Sequence, residues 1–432
     1  MSVQPASLPD IRADVVVIGT GLIGATLAVA LASAGVSVVA IDRLAPAAMT
    51  DMRFDGRTTA VAWGARRALS RIGVWETMAP HAEPILDIRI SDGRLEPERV
   101  TAATSLLHLH FDHREAGEGP DRAPAMGYIV ENRHMRLALF QRLAALPLAV
   151  LLAPATIARV ERGEHGVETT LGDGRIVRAA LVVSAEGRGG GGLRESAKIR
   201  VGGWSYGQMA IVCVARHERP HRGVAQEKFL PGGPFAILPM TNDETGAHRS
   251  SIVWSERTDL ATAVLALDDG SFAREFAARF GDHLGVVAPV GPRFHYPLSL
   301  SQAERYVDRR LALVGDAAHA IHPIAGQGWN LGLRDIAALA EVVVDAKRLG
   351  LDIGGANTLA RYESWRRVDN LALLAATDAL NRLFSNDIPP LRALRDLGLA
   401  AVNEVAPLRR FFMRHAMGVV GDLPKLVRGE PL

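Results

Sequence analysis

A single cysteine, Cys213, stands among 432 residues, so no internal disulfide can form and a reducing compartment, the cytoplasm, is expected. No stretch approaches the ~18–20 uninterrupted apolar residues that a membrane-crossing helix needs. Low-complexity tracts and internal repeats are also missing, which excludes solenoids and repeat arrays. Charge of one sign is missing too. Lys and Arg total 49 against 47 Asp and Glu, a net +2, which gives no electrostatic reason to expect nucleic acid as a partner. Met1–Ala13 is short and polar with no apolar stretch, so no secretory signal is expected. What the chain does have is 48% hydrophobic residues, enough for a large core divided among two or three domains.

The residue pattern opens as β-turn-α-β. Asp14–Ile18 reads as a buried strand, Leu22–Ala34 as a helix of small and apolar residues, and Val36–Ile41 as a second buried strand. Thr58–Ile72 and Arg133–Leu146 read as amphipathic helices, and Glu168–Ser184 as two strands around the Asp173-Gly174 turn. Val201–Pro297 changes character. Alternating segments such as Met209–Val214 and Ser250–Trp254, separated by Gly and Pro, predict a β-rich second domain. Arg310–Val314 reads as another buried strand, followed by a helix over Trp329–Arg348. Tyr362–Met417 reads as helical with a break at Pro389-Pro390.

Gly19-Thr20-Gly21-Leu22-Ile23-Gly24 spells G-x-G-x-x-G between the first strand and the first helix. The first Gly permits the tight turn, the second lets backbone approach a pyrophosphate, and the third lets helix pack close to strand. The helix N-terminus then presents free N–H groups to the phosphates. Asp42 ends the next strand, where a carboxylate can bind ribose hydroxyls and would repel a 2′-phosphate. The motif alone serves FAD and NAD equally.

A second constellation follows the strand at Leu311–Val314. It runs Gly315-Asp316-Ala317-Ala318-His319, then His322-Pro323, then Gly326-Gln327-Gly328-Trp329-Asn330 at a helix start. A carboxylate beside a Gly at a strand end can hydrogen-bond a polyol. The Gly-rich helix entry lets a planar ligand approach backbone N–H groups, and the positive helix end favours negative charge on a reduced ring. His319 and His322 are three apart but have no third ligand in reach, so no metal is expected.

Other residues carry less. Tyr206 and Gln208 are two apart in a strand pattern and would share a face, where they could point at a substrate or be buried in the sheet. His295-Tyr296 lies in or beside the same β-rich region, Cys213 reads as inert core, and no residue stands out as a general base. From Leu391 to Leu432 there are seven Lys/Arg against four acids, with Phe411, Phe412, Met413 and Met417 beside the basic residues. Such a tail can dock at an anionic lipid surface, or pack on its own domain or on a second subunit in a homodimer.

Gly19–Gly24, Arg57-Thr58-Thr59-Ala60, Val130-Glu131-Asn132-Arg133 and Gly315–Asp335 resemble the aromatic-ring flavin hydroxylases of the p-hydroxybenzoate hydroxylase fold. More narrowly, Gly233–Pro239, Arg249–Trp254, Ala376–Asp378, Leu380–Asn386 and Leu408–Gly418 resemble the ubiquinone-biosynthesis hydroxylases. The resemblance covers nearly the whole chain. It implies an α/β fold in which a Rossmann-like FAD-binding domain (1–80, 106–198 and 298–348) is interleaved with a β-sheet substrate domain (81–105 and 199–297). Helices follow at 349–432. It implies FAD, reduced by NADH or NADPH, with O2 as co-substrate and a polyprenylated phenol as the molecule hydroxylated. By the same resemblance Asp42 and Arg43 meet the adenosine end, Arg57, Asn132 and Glu186 lie along the cofactor, and Asp316 meets the ribityl chain. Pro323 and Gly326–Asn330 line the flavin ring, and His322, Pro323 and Tyr206 are the candidates nearest the chemistry. The resemblance also implies a cytoplasmic enzyme, peripheral at the inner face of the membrane, with other ubiquinone-biosynthesis proteins as further partners.

One segment departs from the family. Where Asp-Gly, then Ser, then Arg seven positions after the Asp are usual, this chain has Glu186-Gly187, then Gly190, and Arg194 one position late. Gly187–Gly192 also spells G-x-G-x-x-G, but no strand ending in an acid follows, so a flexible loop is expected rather than a second dinucleotide fold. The loop is expected to slow flavin reduction without abolishing FAD binding. It keeps a poorly active flavin-binding scaffold open as a reading, beside a flavin reductase of the same fold. A halogenase Trp-x-Trp-x-Ile-Pro pattern is absent.

Overall fold

In a computed structural model of the chain, residues 10–94, 103–116, 123–189, 192–384 and 402–432 are described. Val15–Ile18 is β-branched throughout and wholly buried, as a strand covered on both faces must be. It sits inside a six-stranded sheet with the order Val307–Asp308, Leu311–Leu313, Leu181–Ser184, Val15–Ile18, Val38–Ile41, Ala149–Leu152. Every pairing is parallel except the outer hairpin of Val307–Asp308 with Leu311–Leu313. The helix Leu22–Ser33 is buried continuously from Gly24 to Ala32, because the helices Asn132–Ala144 and Gln327–Arg348 both pack against it. Its small residues allow that close approach.

An eight-stranded sheet forms the second layer. Its order is His319–Ala320, Val287–Ala303, Val201–His217, His248–Arg257, Gly233–Met240, Val224–Leu230, Asp87–Arg94, Ala103–Asp112. Only the Val224–Leu230 pairing with Asp87–Arg94 is parallel. A three-stranded sheet, Thr58–Ala62, Gly127–Glu131 and Ala82–Ile85, joins the layers. Thr58–Ala62 contacts the Gln327–Arg348 helix, while the other two strands touch Gly233–Met240.

Three expectations change. Thr58–Ile72 is not one helix: Thr58–Ala62 is a strand paired with Gly127–Glu131, and the helix is Trp63–Arg71. β-branched Thr58, Thr59 and Val61 favour the extended form once a partner strand is available. Glu168–Ser184 holds three strands, because Leu181–Ser184 leaves the hairpin and joins the parallel sheet. Within the β-rich segment the helices Thr258–Leu265 and Asp269–Phe280 intervene, the second capped by Asp268, whose carboxylate accepts the Ser271 N–H at 2.9 Å. Phe272, Phe276 and Phe280, four apart on one helix face, bury against Trp254 and Ile211. The Pro389-Pro390 break lies outside the described residues. On either side of it run the helices Ala356–Phe384 and Ala406–Ala416. Among the described residues no helix is long and apolar enough to cross a membrane.

Candidate active site

The carboxyl ends of the parallel strands open onto one cavity of about 1490 Å³, the place where open α/β sheets take their ligands. Val15–Ile18 ends at Gly19, whose φ of +91° only glycine adopts freely. A side chain there would also come within 2.6 Å of the Ala185 carbonyl oxygen. A methyl on Gly24 would lie 1.8 Å from the Gly19 carbonyl oxygen, whereas one on Gly21 would meet no protein atom within 4 Å. Gly21, Leu22 and Ile23 line the cavity, and the Leu22–Ser33 helix starts without a side-chain cap, leaving its first N–H groups free for a ligand. Asp42 lines the cavity at the end of Val38–Ile41. One carboxylate oxygen accepts the Thr20 N–H at 2.6 Å and its hydroxyl at 3.0 Å, and the other accepts the Leu44 N–H at 2.9 Å. Arg43 is exposed and is not among the lining residues. Arg57 lines the cavity, paired with Asp55 at 2.8 Å. Asn132, also lining it, accepts the Thr59 hydroxyl at 2.7 Å and donates its N–H to the Arg57 carbonyl at 3.0 Å.

The distal constellation meets the same cavity. Gly315 has φ +59° and donates its N–H to Asp335 at 3.1 Å, and Asp316 lines the cavity with its carboxylate 2.9 Å from Arg188. Gly326 turns the chain with φ +62° into the Gln327–Arg348 helix, whose N-terminus again lacks a side-chain cap. A methyl on Gly328 would meet nothing within 4 Å. Gln327, Trp329 and Pro323 line this end. Asn330 lines it too, but its side chain ties the helix start to the neighbouring strand: it accepts the Ala62 N–H at 2.9 Å and donates to Ala60 at 2.8 Å.

The eight-stranded sheet adds an apolar wall to the same cavity, from Ile88, Ile90, Phe111, Val212, Leu238 and Val253. Glu227, a buried carboxylate on the strand face shared with Ala225 and Phe229, lines the cavity, as do His295 and Tyr296. Alternation in Val224–Leu230 is the signal that could have singled out Glu227.

Besides Arg43, Glu186, His322, Tyr206 and Gln208 sit off the lining. Glu186 is off the lining, its carboxylate turned back to accept the Ser184 hydroxyl at 2.9 Å. His322 is wholly buried behind the wall, and burial holds its imidazole down to about 4, so it is neutral at pH 7. Tyr206 packs edge-on against His322 with ring centres 5.2 Å apart, beside Leu300, Ile321 and Leu331. Burial, with Asp378 nearby, raises its phenol well above the ordinary value. A register shift between Ser205 and Gln208, with Gly207 at φ +65°, breaks the two-residue alternation expected of Tyr206 and Gln208. Gln208 turns instead to the Gly232 carbonyl at 2.9 Å and accepts from Asn381 at 3.2 Å. Of the candidates for the chemistry, Pro323 alone lines the cavity.

These donors fit FAD. Two uncapped helix starts suit phosphate and flavin ring, two open glycines leave room for close approach, and Asp42 and Asp316 can accept from sugar and polyol hydroxyls. Among the described residues no group of three or more His, Cys, Asp or Glu could hold a metal ion.

A family model described as an FAD binding domain matches residues 12–367. The chain is 53% identical over 426 residues to the ubiquinone hydroxylase UbiL of Rhodospirillum rubrum, a match covering 98% of this chain and 94% of that protein. It is 33% identical to the 3-demethoxyubiquinol 3-hydroxylase of Escherichia coli, over 94% of this chain and 98% of the other. It is 32% identical to the human mitochondrial ubiquinone biosynthesis monooxygenase COQ6, over 93% and 92% respectively. Among solved structures, p-nitrophenol 4-monooxygenase PnpA of Pseudomonas putida superposes with a TM-score of 0.74 at 19% identity, covering 95% of this chain and 99% of that one. PqsL of Pseudomonas aeruginosa gives 0.69 at 21% identity, covering 90% and 99%. At such identities the structural likeness speaks for the fold alone. The FAD-binding match and the near full-length relatives place the chain in a family: it belongs to the FAD-dependent ubiquinone-biosynthesis hydroxylases, flavin monooxygenases of the p-hydroxybenzoate hydroxylase fold.

Proposed function

We propose that FAD lies along the polar part of the cavity and that the apolar wall takes the ring of a polyprenylated phenol, which is hydroxylated with NADH or NADPH as electron donor and O2 as co-substrate. The observation that carries this reading is continuity. The glycine-containing strand ends, the apolar wall, and Pro323 with Gly326–Asn330 all line one cavity. Bound there, reduced FAD supplies the activation of oxygen. The N–H groups after Gly21 would bind the pyrophosphate, Asp42 the adenosine ribose, and Asp316 the ribityl hydroxyls. The uncapped positive end of the Gln327–Arg348 helix would favour negative charge on a reduced ring placed there. Ile88, Ile90, Phe111 and Leu238 would exclude water from the phenol ring.

The substrate class follows from the ubiquinone relatives, and a molecule so apolar resides in a lipid bilayer. The Ala406–Ala416 helix supplies a route to one. Arg410, Arg414, Phe411 and Phe412 are exposed on it, while Ala416 at its end lines the cavity. The enzyme is accordingly proposed to be cytoplasmic and to touch the membrane surface through this helix. Steady-state NAD(P)H oxidation, with and without a short-chain prenylphenol, tests the function: stimulation by the phenol is expected. Oxidation indifferent to any phenol would leave a reductase, and no oxidation at all a scaffold.

A further inference from the structure

The cavity-facing side of the eight-stranded sheet carries a carboxylate among apolar side chains. Directly opposed residues of paired strands lie on the same face of a sheet. Through successive pairings one such row runs Ile90, Glu227, Ala236, Val253, Val212 and Phe294, and all of them line the cavity. Every member of the row except Glu227 is apolar. In the row beside it Phe111, Ile88 and Ala225 line the cavity as well. The facing of the Glu227 strand is fixed from behind. Lys228, the next residue, points to the opposite side, where its ammonium donates to the carbonyls of Phe280 at 2.7 Å and Arg279 at 3.3 Å, at the end of the Asp269–Phe280 helix. Glu227 is 8% exposed, and among the described residues it is the only carboxylate that this sheet adds to the lining. Asp42 and Asp316 reach the cavity from strand ends of the parallel sheet.

We propose that Glu227 positions the phenol, its carboxylate accepting the hydrogen bond of the ring hydroxyl while the ring lies on the apolar wall. The inference rests on the substrate reading above. A prenylated ring gains by leaving water for Ile90, Val212 and Val253, but its hydroxyl costs free energy there unless it finds an acceptor. Glu227 offers one at a single place on the wall, so it selects an orientation that an apolar surface alone leaves open. A carboxylate has about four lone-pair sites on its two oxygens, so it can take a ligand O–H beside a donor of the protein. A hydrogen bond to an ionised acceptor is also stronger than a neutral one. Accepting it leaves more electron density on the phenol oxygen and its ring, which favours attack by an electrophilic oxygen.

FAD-loaded wild type, Glu227→Gln and Glu227→Leu are titrated with a short-chain prenylphenol and with the same molecule carrying hydrogen in place of the ring hydroxyl. Binding is read from the flavin absorbance. Glu227→Leu should weaken phenol binding by about tenfold or more, while the hydroxyl-free molecule binds no more weakly than before. Glu227→Gln keeps the shape without the charge and should fall between wild type and Glu227→Leu for the phenol alone. The preference for the hydroxyl is the readout, because a merely structural role would shift both ligands alike. Equal losses for the two ligands, or a loss for neither, overturn the proposal and leave the substrate reading standing. If Glu227→Leu does not fold, the same preference measured in Glu227→Gln decides. Wild type that holds FAD but binds neither ring molecule overturns the substrate reading together with the proposal.

Discussion

Asp335 is fully buried on the Gln327–Arg348 helix, and its carboxylate is used on every side. One oxygen accepts from His319 at 2.6 Å and from the Gly315 N–H at 3.1 Å, the other from Arg366 at 3.0 Å and Asn370 at 3.1 Å. Burial would raise this carboxyl, but His319 and Arg366 outweigh it and hold it down to about 2. Breaking a buried ion pair by removing one partner costs about 3–5 kcal/mol. Arg366, itself 1% exposed, would keep Asp369 at 2.6 Å, so Asp335→Asn should fall at the lower end, about 3 kcal/mol. That is a large share of the ~5–15 kcal/mol that stabilises a domain. The assay is the urea midpoint at unchanged m, read beside FAD affinity, because Gly315 loses the charged acceptor that fixes its N–H next to Asp316. Asp369→Asn, at a half-exposed carboxylate, should cost less than about 1 kcal/mol. A carboxyl lowered in the folded state stabilises above its ordinary 3.8 and loses that contribution as pH falls through about 2, so the gap between wild type and Asp335→Asn should narrow only in strong acid. An Asp335→Asn midpoint within about 0.5 kcal/mol of wild type would refute the reasoning.

Other outcomes follow from single contacts. Asp316→Ala should weaken FAD retention by about 1.5–3 kcal/mol, the value of a hydrogen bond to a charged group, and fluorescence titration of apoprotein would expose an unchanged Kd. His322 is lowered from 6.5 to about 4, so the unfolded chain takes the proton first and stability falls as pH drops between those values. Between pH 7 and pH 5 wild type should lose about 2 kcal/mol more than His322→Leu, and parallel denaturation curves at the two pH values would contradict this. Arg410→Ala with Arg414→Ala should reduce co-sedimentation with anionic liposomes, each basic residue near the surface contributing about 1 kcal/mol. Binding that ignores anionic lipid content would argue against membrane docking.

What the sequence disclosed was local. Gly19–Gly24 and Asp42 are separated by one strand-helix-strand unit, so spacing alone places them at adjacent strand ends. Gly315, Asp316 and Gly326 could be read the same way, and the structure brings both sets around one cavity. What stayed hidden depends on partners distant in the chain. Tyr206 and Gln208 were expected to share a face, but the bulge at Gly207 lies in the pairing with Val287–Ala303, which no local pattern records. His322 sits one residue from the cavity-lining Pro323 yet points into the core, since only the turn geometry decides which of two neighbours faces in. Thr58–Ala62 became a strand because Gly127–Glu131, some seventy residues later, pairs with it.

The central claim is that one cavity joins a flavin to the ring that it oxidises. Its most direct test is a single-turnover reaction of the FAD-loaded protein, reduced by NADH or NADPH, with a short-chain prenylphenol under isotopically labelled O2, the product being read by mass spectrometry. The account predicts one labelled oxygen atom on the aromatic ring, and loss of that product when Leu238 or Val253 in the apolar wall is replaced by Asp. Flavin that is bound and reoxidised with no label reaching the ring, under conditions where the phenol is bound, would contradict it.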